Sequence, residues 1–447
     1  MLGTLLFIVA LAALLIGYPV AFTLGGVSTI FGLMTFGLDF FNFLPLRIWG
    51  VNTNILLMAV PLFVYMGVML ESSGLAEELL ETMALLFGRL RGGLALSVVI
   101  VGAMLAASTG IVGATVVTMG LLSLPTMLRR GYSKQLSTGT IASAGTLGQI
   151  IPPSIVLVLL GSVLNVSVGD MFVGAMIPGF VLVGLYILWI WLFATFRPQS
   201  APPIPAEELA AFKGKEMVIR LLRAFVAPVV LIVAVLGSIF AGIASPTEAA
   251  AVGAVGATIL TVIQKRFNLE TLNKVMKETV FLTCMVFIIL VGATCFSLAF
   301  RGEGGDRFLQ SLITASGLSP MGFLAVFMLV VFVAGFFIDF IEITFILVPI
   351  AAPIFASMGL DLLWVGILVA VNLQTSFLTP PFGFSLFYLK GVSPPSVKTT
   401  DIYKGIIPFV AIQLVGLLLV VLFPESVTCL PEYLSRDVPI SELRCWN

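Results

Sequence analysis

Apolar runs of roughly 20 residues recur along the whole chain, divided by short polar stretches, the pattern of membrane-crossing helices rather than of an alternating barrel. Basic residues on loops mark the cytoplasmic side. They cluster at Arg89 and Arg91, at Arg129, Arg130 and Lys134, in the 197–223 loop, at Lys265, Arg266, Lys274 and Lys277, and at Lys390, Lys398 and Lys404. Between Arg91 and Arg129 lie 37 uncharged residues whose two flanks both read as inside. One crossing cannot satisfy that, and two full crossings need about 40 residues plus a turn. The segment AASTGIVGATVVT at 106–118 is small and polar at its centre, so a re-entrant hairpin turning at Ser108–Gly113 is the simplest reading, with two tight spans as the alternative. FFIDFIEIT marks a second hairpin within 319–357, reached from outside.

The prolines expose a repeat. Pro125 to Pro152 spans 27 residues, as does Pro353 to Pro380, and the second pair follows the first by 228. The double proline of LGQIIPPSI (Pro152, Pro153) recurs in SFLTPPFGF (Pro380, Pro381), and Asp170, Gly174 and Pro178 match Asp401, Gly405 and Pro408. The predicted organisation is a first repeat over 1–196, with scaffold spans in 1–71, a hairpin at 93–128, a broken span at 135–165 and a closing span at 170–196. A cytoplasmic linker covers 197–223. The second repeat, 222–424, has scaffold spans in 226–299, a hairpin at 319–357, a broken span at 362–389 and a closing span at 403–423, before a periplasmic tail at 425–447. The first repeat begins outside and the second inside, so the repeat is inverted, both termini are external, and the fold class is an all-α polytopic membrane protein. Inverted repeats with paired broken helices point to a secondary transporter with its site near the midplane.

Composition narrows the chemistry. The chain is 60% hydrophobic and 10% charged, against about 25% charged in soluble proteins. Net charge is zero with no basic tract for nucleic acid, and the absence of histidine excludes His metal sites, His proton relays and Ser/His/Asp triads. The first 19 residues lack a cleavage site and read as a retained helix. Cys284 and Cys295 lie about 16 Å apart on one helix and cannot bridge there. Cys429 and Cys445 can pair if the tail is periplasmic.

A broken helix frees carbonyls at one side of the break and N–H groups at the other. Carbonyls suit a hard cation such as Na⁺, and helix N-termini suit an anion. The candidate sodium ligands are Ser108, Thr109, Gly110 and Gly113 at the first hairpin tip, facing Gly145, Gly148 and Pro152. In the second repeat they are Asp339, facing Gln374, Thr375, Ser376 and Thr379. The candidate substrate contacts are Thr115, Gln149, Asp339 and Thr344. There is no Lys or Arg in 92–128 or in 308–389, so these elements meet a carboxylate with helix ends, hydroxyls and a nearby cation rather than an arginine clamp. Asp339 and Glu342 read first as a capping pair and second as an ion or substrate contact. Ser108 and Thr109 carry the same ambiguity, and Glu248 in SPTEAAAVG reads as a cap.

LGQIIPPSI, SPTEAAAVGA, FFIDFIEITFILVPIAAPI and SFLTPPFGFSLFYLKG together resemble the large membrane subunit of tripartite ATP-independent periplasmic (TRAP) transporters over about residues 2–424. The FIDFIEITFILVP version resembles the branch linked to 2-oxo acids, lactate or mannitol and chloroaromatic compounds. The resemblance implies an ion-transporter-superfamily-like elevator fold in a bacterial or archaeal inner membrane. It implies Na⁺-driven import of a small organic acid, a small four-helix membrane subunit on a separate chain, and a periplasmic binding protein that makes most of the substrate selection. It places the Na⁺ sites in Ser108–Thr115 with Gly145–Pro152, and in Asp339–Thr344 with Gln374–Pro380. No Gly-x-x-x-x-Gly-Lys-[Ser/Thr] loop is present, consistent with ion drive. The rival reading is a stand-alone Na⁺/carboxylate symporter of the same architecture. An embedded enzyme and a channel are disfavoured, and no organic cofactor is expected.

Overall fold

The structure is a computed structural model and describes residues 2–109, 112–205, 222–308, 311, 317–380 and 383–436. Every regular element among them is helical, and seven helices are long and apolar enough to cross a membrane, eight if one bent pair counts as a span.

Two sets of helices divide the fold. The outer set contains Leu2–Ile16, Val20–Phe36, Phe40–Asn52 and Ala59–Ser72 from the first repeat. Ala227–Phe240, Pro246–Ile263 and Leu269–Gly302 come from the second. Their starts are written in the sequence. Pro246 opens its helix behind Ser245, whose hydroxyl accepts from Glu248 N while the Glu248 carboxylate accepts from Ser245 N, a capping box that gives Glu248 a structural role. The halves pack reciprocally: Val20–Phe36 runs along Leu269–Gly302, and Pro246–Ile263 along Ala59–Ser72. Small residues permit this closeness, since a Cβ on Gly292 would lie 2.6 Å from the Ala21 carbonyl oxygen.

The outer set differs from the sequence expectation in two places. Lys274 and Lys277, read as loop charges before a span at 278–299, lie within one helix of 34 residues, about 51 Å long and well beyond a 30 Å hydrocarbon core. Asn268 caps it by accepting from Thr271 N at 2.7 Å, and Lys274 and Glu278 pair one turn apart on its exposed face at 3.9 Å. In the first repeat the equivalent helices, Phe40–Asn52 and Ala59–Ser72, are separated where the Asn54 side chain turns back to accept from Leu56 N. The second difference is the helix Leu75–Leu86, which buries Leu75, Leu79, Leu80 and Met83 against the first hairpin; its short apolar stripe did not stand out beside the longer runs.

The inner set holds the hairpins and breaks. Gly93–Thr109 and Val112–Arg129 form the first hairpin. Pro320–Ala334 descends to a turn at 335–339, and Phe340–Ile346 and Val348–Ser357 return with a 48° bend. The first broken span is Lys134–Thr146, the tight turn Leu147–Gln149, and Ile155–Leu164. The second is Leu362–Leu378 and Phe384–Val392. Each hairpin reaches across to the other repeat: Val112–Arg129 packs on Phe384–Val392, and Phe340–Ile346 packs on Ile155–Leu164. The closing helices cross over as well. Thr399–Leu422 lies on Lys134–Thr146, and Val168–Phe196 on Leu362–Leu378. Polar positions deep in this core, among them Ser137, Thr138, Thr140, Ser143 and Thr146, are fully covered by protein, the condition under which irregular backbone is tolerated at membrane depth. A buried chain of hydrogen bonds from Thr375 through Gln413 to Tyr186 ties the second broken span to both closing helices.

The chain ends in the helix Glu425–Arg436, seated on Val168–Phe196. Cys429 in it is disulfide-bonded, Cys284 and Cys295 are free, and Cys445 lies outside the described residues.

A close backbone crossing of the inner core yields a test. A Cβ on Gly139 would fall 2.2 Å from the Gly405 carbonyl oxygen, whereas one on Gly184 meets nothing within 4 Å. Gly139→Val is expected to cost at least about 1–3 kcal/mol of stability through overpacking. Gly184→Val is expected to be silent, with both read from thermal unfolding of the extracted protein.

Candidate functional site

The breaks begin with a missing donor. Proline has no N–H, so Pro152 and Pro153 cannot serve the carbonyls of Gly148 and Gln149, and Pro380 cannot serve Ser376. The same repair appears in both repeats. Ser154 Oγ donates to the Gln149 carbonyl at 2.9 Å, and Ser385 Oγ donates to the Phe377 carbonyl at 2.7 Å. The helices that resume beyond, Ile155–Leu164 and Phe384–Val392, have no side-chain N-cap, so their first N–H groups face back toward the breaks. Carbonyl ends and N–H ends thus converge from four half-helices.

The two breaks meet. Gln374 Nε2 donates to Thr146 Oγ1 at 3.4 Å, and these residues are 228 positions apart, the offset of the repeat. The pseudo-two-fold relation between the halves therefore runs through this contact. Buried polar atoms on the two broken spans and the second hairpin lack partners: both side-chain polar atoms of Gln149, Gln374 Oε1, Thr140 Oγ1, Thr344 Oγ1 and Glu342 Oε2. Each costs about 1–3 kcal/mol when left unmet, and such a cluster is the mark of a ligand or ion site.

Each hairpin seats on the break of its own repeat. A Cβ on Gly145 would meet Val116 Cγ2 at 2.4 Å, and one on Gly335 would meet Ser376 Oγ at 2.1 Å. Leu147–Gln149, holding Gly148 and Gln149, also lies against Gly93–Thr109, the helix that Ser108 and Thr109 close. Gly110 and Pro381 lie outside the described residues. Pro152 and Thr115 are buried. Thr375, Ser376 and Thr379 each donate their hydroxyl to a carbonyl one turn back, at 2.8 to 2.9 Å, which leaves oxygen lone pairs available to a cation. Asp339 does cap: its Oδ1 accepts from Phe340 N at 2.7 Å. Thr344 sits on the hairpin segment that packs against the first repeat.

Several site residues escaped the sequence reading. Thr146 was legible only through the offset to Gln374. Tyr388, on the second broken span, lies against the first hairpin: a Cβ on Gly113 would fall 3.0 Å from its ring. Arg47 and Arg301 are the third omission. The hairpins and broken spans carry no arginine clamp, but the outer helices place both arginines on a cavity of about 460 Å³ with Asn54, Ser162, Ser297 and Phe345, between the outer set and the second hairpin. A cavity of about 430 Å³, lined by Glu71, Ala114, Lys277 and Glu278, occupies the other end of the same outer helices beside the first hairpin. One polar contact bridges the two sets at each: Asn54 Nδ2 to Ser162 Oγ at 3.5 Å, and Thr118 Oγ1 to Glu71.

An inverted pair of broken helices, flanked by two hairpins and cavities at opposite ends, defines a helical membrane transporter. More narrowly, residues 7–426 match the profile of the tripartite ATP-independent periplasmic transporter, DctM component, and the chain belongs to that family. It is 33% identical over 413 residues to the C4-dicarboxylate TRAP transporter large permease protein DctM of Pseudomonas aeruginosa, covering 92% of this chain and 94% of that one. It is 29% identical over 425 residues to the sialic acid TRAP transporter large permease protein SiaM of Vibrio cholerae, covering 94% and 96%. Among solved structures, the Alcanivorax borkumensis YdaH transporter shares the fold at a TM-score of 0.64 and 14% identity, over 95% of this chain and 98% of that one.

The serine repair is open to direct test. Ser154→Ala and Ser385→Ala each leave a buried carbonyl without its donor, and each is expected to lower stability by about 1–3 kcal/mol. Thermal unfolding of the two variants measures this, and similar losses are expected because the two serines do the same work.

Proposed function

We propose that this chain is the large subunit of a Na⁺-coupled, binding-protein-dependent importer of a small organic anion of the carboxylate or 2-oxo acid class. The observation that carries the reading is the meeting of the two breaks at Gln374 and Thr146 among unpartnered polar atoms of both repeats. Na⁺, as cargo, takes oxygen ligands: backbone carbonyls freed at Gly145–Gly148 and near Ser376, the hydroxyls of Thr375, Ser376 and Thr379, and the amide oxygen of Gln374. The hairpin tips, at Ser108–Thr109 in the first repeat and at Asp339 in the second, close these sites. The anion is met by Gln149, Thr115, Thr344 and the open N–H ends of Ile155–Leu164 and Phe384–Val392. Arg47 and Arg301 draw it into the cavity beside the second hairpin. The class follows from the relatives' substrates, since C4-dicarboxylates and sialic acid are both carboxylates.

The inner set moves as an elevator against the outer set. Two cavities at opposite ends of the outer helices, with a polar contact between the two sets beside each, support a boundary that can slide. Two Na⁺ ions moving through ~100 mV supply roughly 4–5 kcal/mol before any concentration gradient, enough for about 10³-fold accumulation of a neutral load. The protein works in the inner membrane with a small four-helix subunit and a periplasmic binding protein. Both termini face the periplasm, an assignment supported by the disulfide at Cys429, since disulfides persist in oxidising compartments.

In proteoliposomes, uptake is expected only with Na⁺, the small subunit and the loaded binding protein together. Uptake by this chain alone would make it a stand-alone symporter instead. Gln374→Ala is expected to raise the Na⁺ concentration for half-maximal uptake by about tenfold or more, the equivalent of one hydrogen-bonding oxygen lost from a charged ligand. An unchanged Na⁺ dependence would remove Gln374 from the site.

A further inference from the structure

A different part of the boundary between the two helix sets has no protein filling it. Two apolar cavities, of about 400 and about 200 Å³, run end to end between the helix Leu2–Ile16 and the second hairpin, sharing Phe7, Val330 and Leu347 in their walls. The larger reaches Leu14 and Leu24 on one side and Phe337 and Ile338, at the hairpin turn, on the other. The smaller ends at Thr4, Phe300 and Phe308. The cleft opens sideways: Leu329 on its rim is 62% exposed and Phe337 is 49% exposed, on a surface that faces lipid in a membrane-spanning chain.

From these features we infer that the cleft binds one acyl chain of a zwitterionic phospholipid whose headgroup carries an ammonium, seated between Leu2–Ile16 and the second hairpin. Three observations fix the occupant. From Thr4 to Leu14 the cleft follows about 15 Å of helix, the depth of one leaflet of a 30 Å hydrocarbon core. Its end carries a polar atom where an ester carbonyl belongs, since Thr4 Oγ1 is buried and unpartnered. Beyond that end the rim bears both signs of charge. Gly3 lies against Gly305, which brings the start of the helix beside Arg301, Glu303, Asp306 and Arg307. Glu303 Oε1 accepts from Thr35 and Asp306 Oδ2 pairs with Arg301 at 3.6 Å, but their second oxygens, Glu303 Oε2 and Asp306 Oδ1, have no hydrogen-bond partner and suit an ammonium, while the exposed Arg307 suits a phosphate. An anionic headgroup without an ammonium leaves those two oxygens unmet. The chain so placed separates the second hairpin from the outer helix, so the hairpin slides on hydrocarbon there rather than on interlocked side chains.

The test uses the complete transporter, with its small subunit, in nanodiscs of phosphatidylglycerol doped with a phosphatidylethanolamine carrying a diazirine in one acyl chain. After illumination, adducts are expected on the peptides around Phe7–Leu14 and Val326–Val333. Unlabelled phosphatidylethanolamine is expected to compete them away, and phosphatidylglycerol is not. Ala334→Phe, which places a ring in the cleft, is expected to cut the yield by roughly tenfold, the factor for excluding about two methylenes. Leu329→Trp, at the exposed rim, serves if Ala334→Phe does not fold. Adducts spread evenly over the lipid-facing helices, yields unchanged in the folded variant, equal competition by phosphatidylglycerol, or crosslinks from these peptides to the small subunit would each overturn the assignment.

Discussion

A backbone carbonyl inside a bilayer must find a donor, and a proline four residues on takes its donor away. The core is organised around that deficit, incurred twice. Ser154 and Ser385 each repair one carbonyl, the hairpins and closing helices cover the irregular backbone, and neighbouring polar atoms remain unmet. The repair is partial by design of the geometry: enough protein surrounds each break to keep water-poor backbone tolerable, yet the four half-helix ends still present charge-bearing dipoles to one region.

Inversion gives the deficit its direction. Because each hairpin seats on its own break and packs on the far half of the other broken span, neither repeat completes a site alone. The contact between Gln374 and Thr146 lies where the halves exchange, with a cavity at either end of the outer helices. The sequences of relatives with different named substrates align over nearly the whole chain, consistent with a shared conveying core whose selectivity lies elsewhere.

Much of this was legible because prolines, glycines and charges have positional meaning that survives without a partner in view. The spacing of Pro125, Pro152, Pro353 and Pro380 located the breaks and the repeat, and Ser245–Pro246–Glu248 announced its helix start. What was hidden depended on crossings. Lys274 and Lys277 looked like loop charges because a 34-residue helix extending past the hydrocarbon core carries no signal at the point where it leaves it. Thr146 and Tyr388 are unremarkable on their own helices and acquire meaning only from Gln374 and Gly113 opposite. Arg47 and Arg301 sit some 250 residues apart in sequence, on outer helices that the sequence marked only as scaffold.

That the paired breaks hold sodium is tested most directly by equilibrium thermal unfolding of the purified transporter in NaCl against choline chloride at matched ionic strength and without substrate. A ligand that binds the folded state alone stabilises it by about 2.7 kcal/mol at a hundredfold excess over its Kd. The expected result is a melting temperature that climbs with Na⁺ concentration and does not respond to choline. Identical melting temperatures in the two salts across the whole titration would contradict the ion clamp.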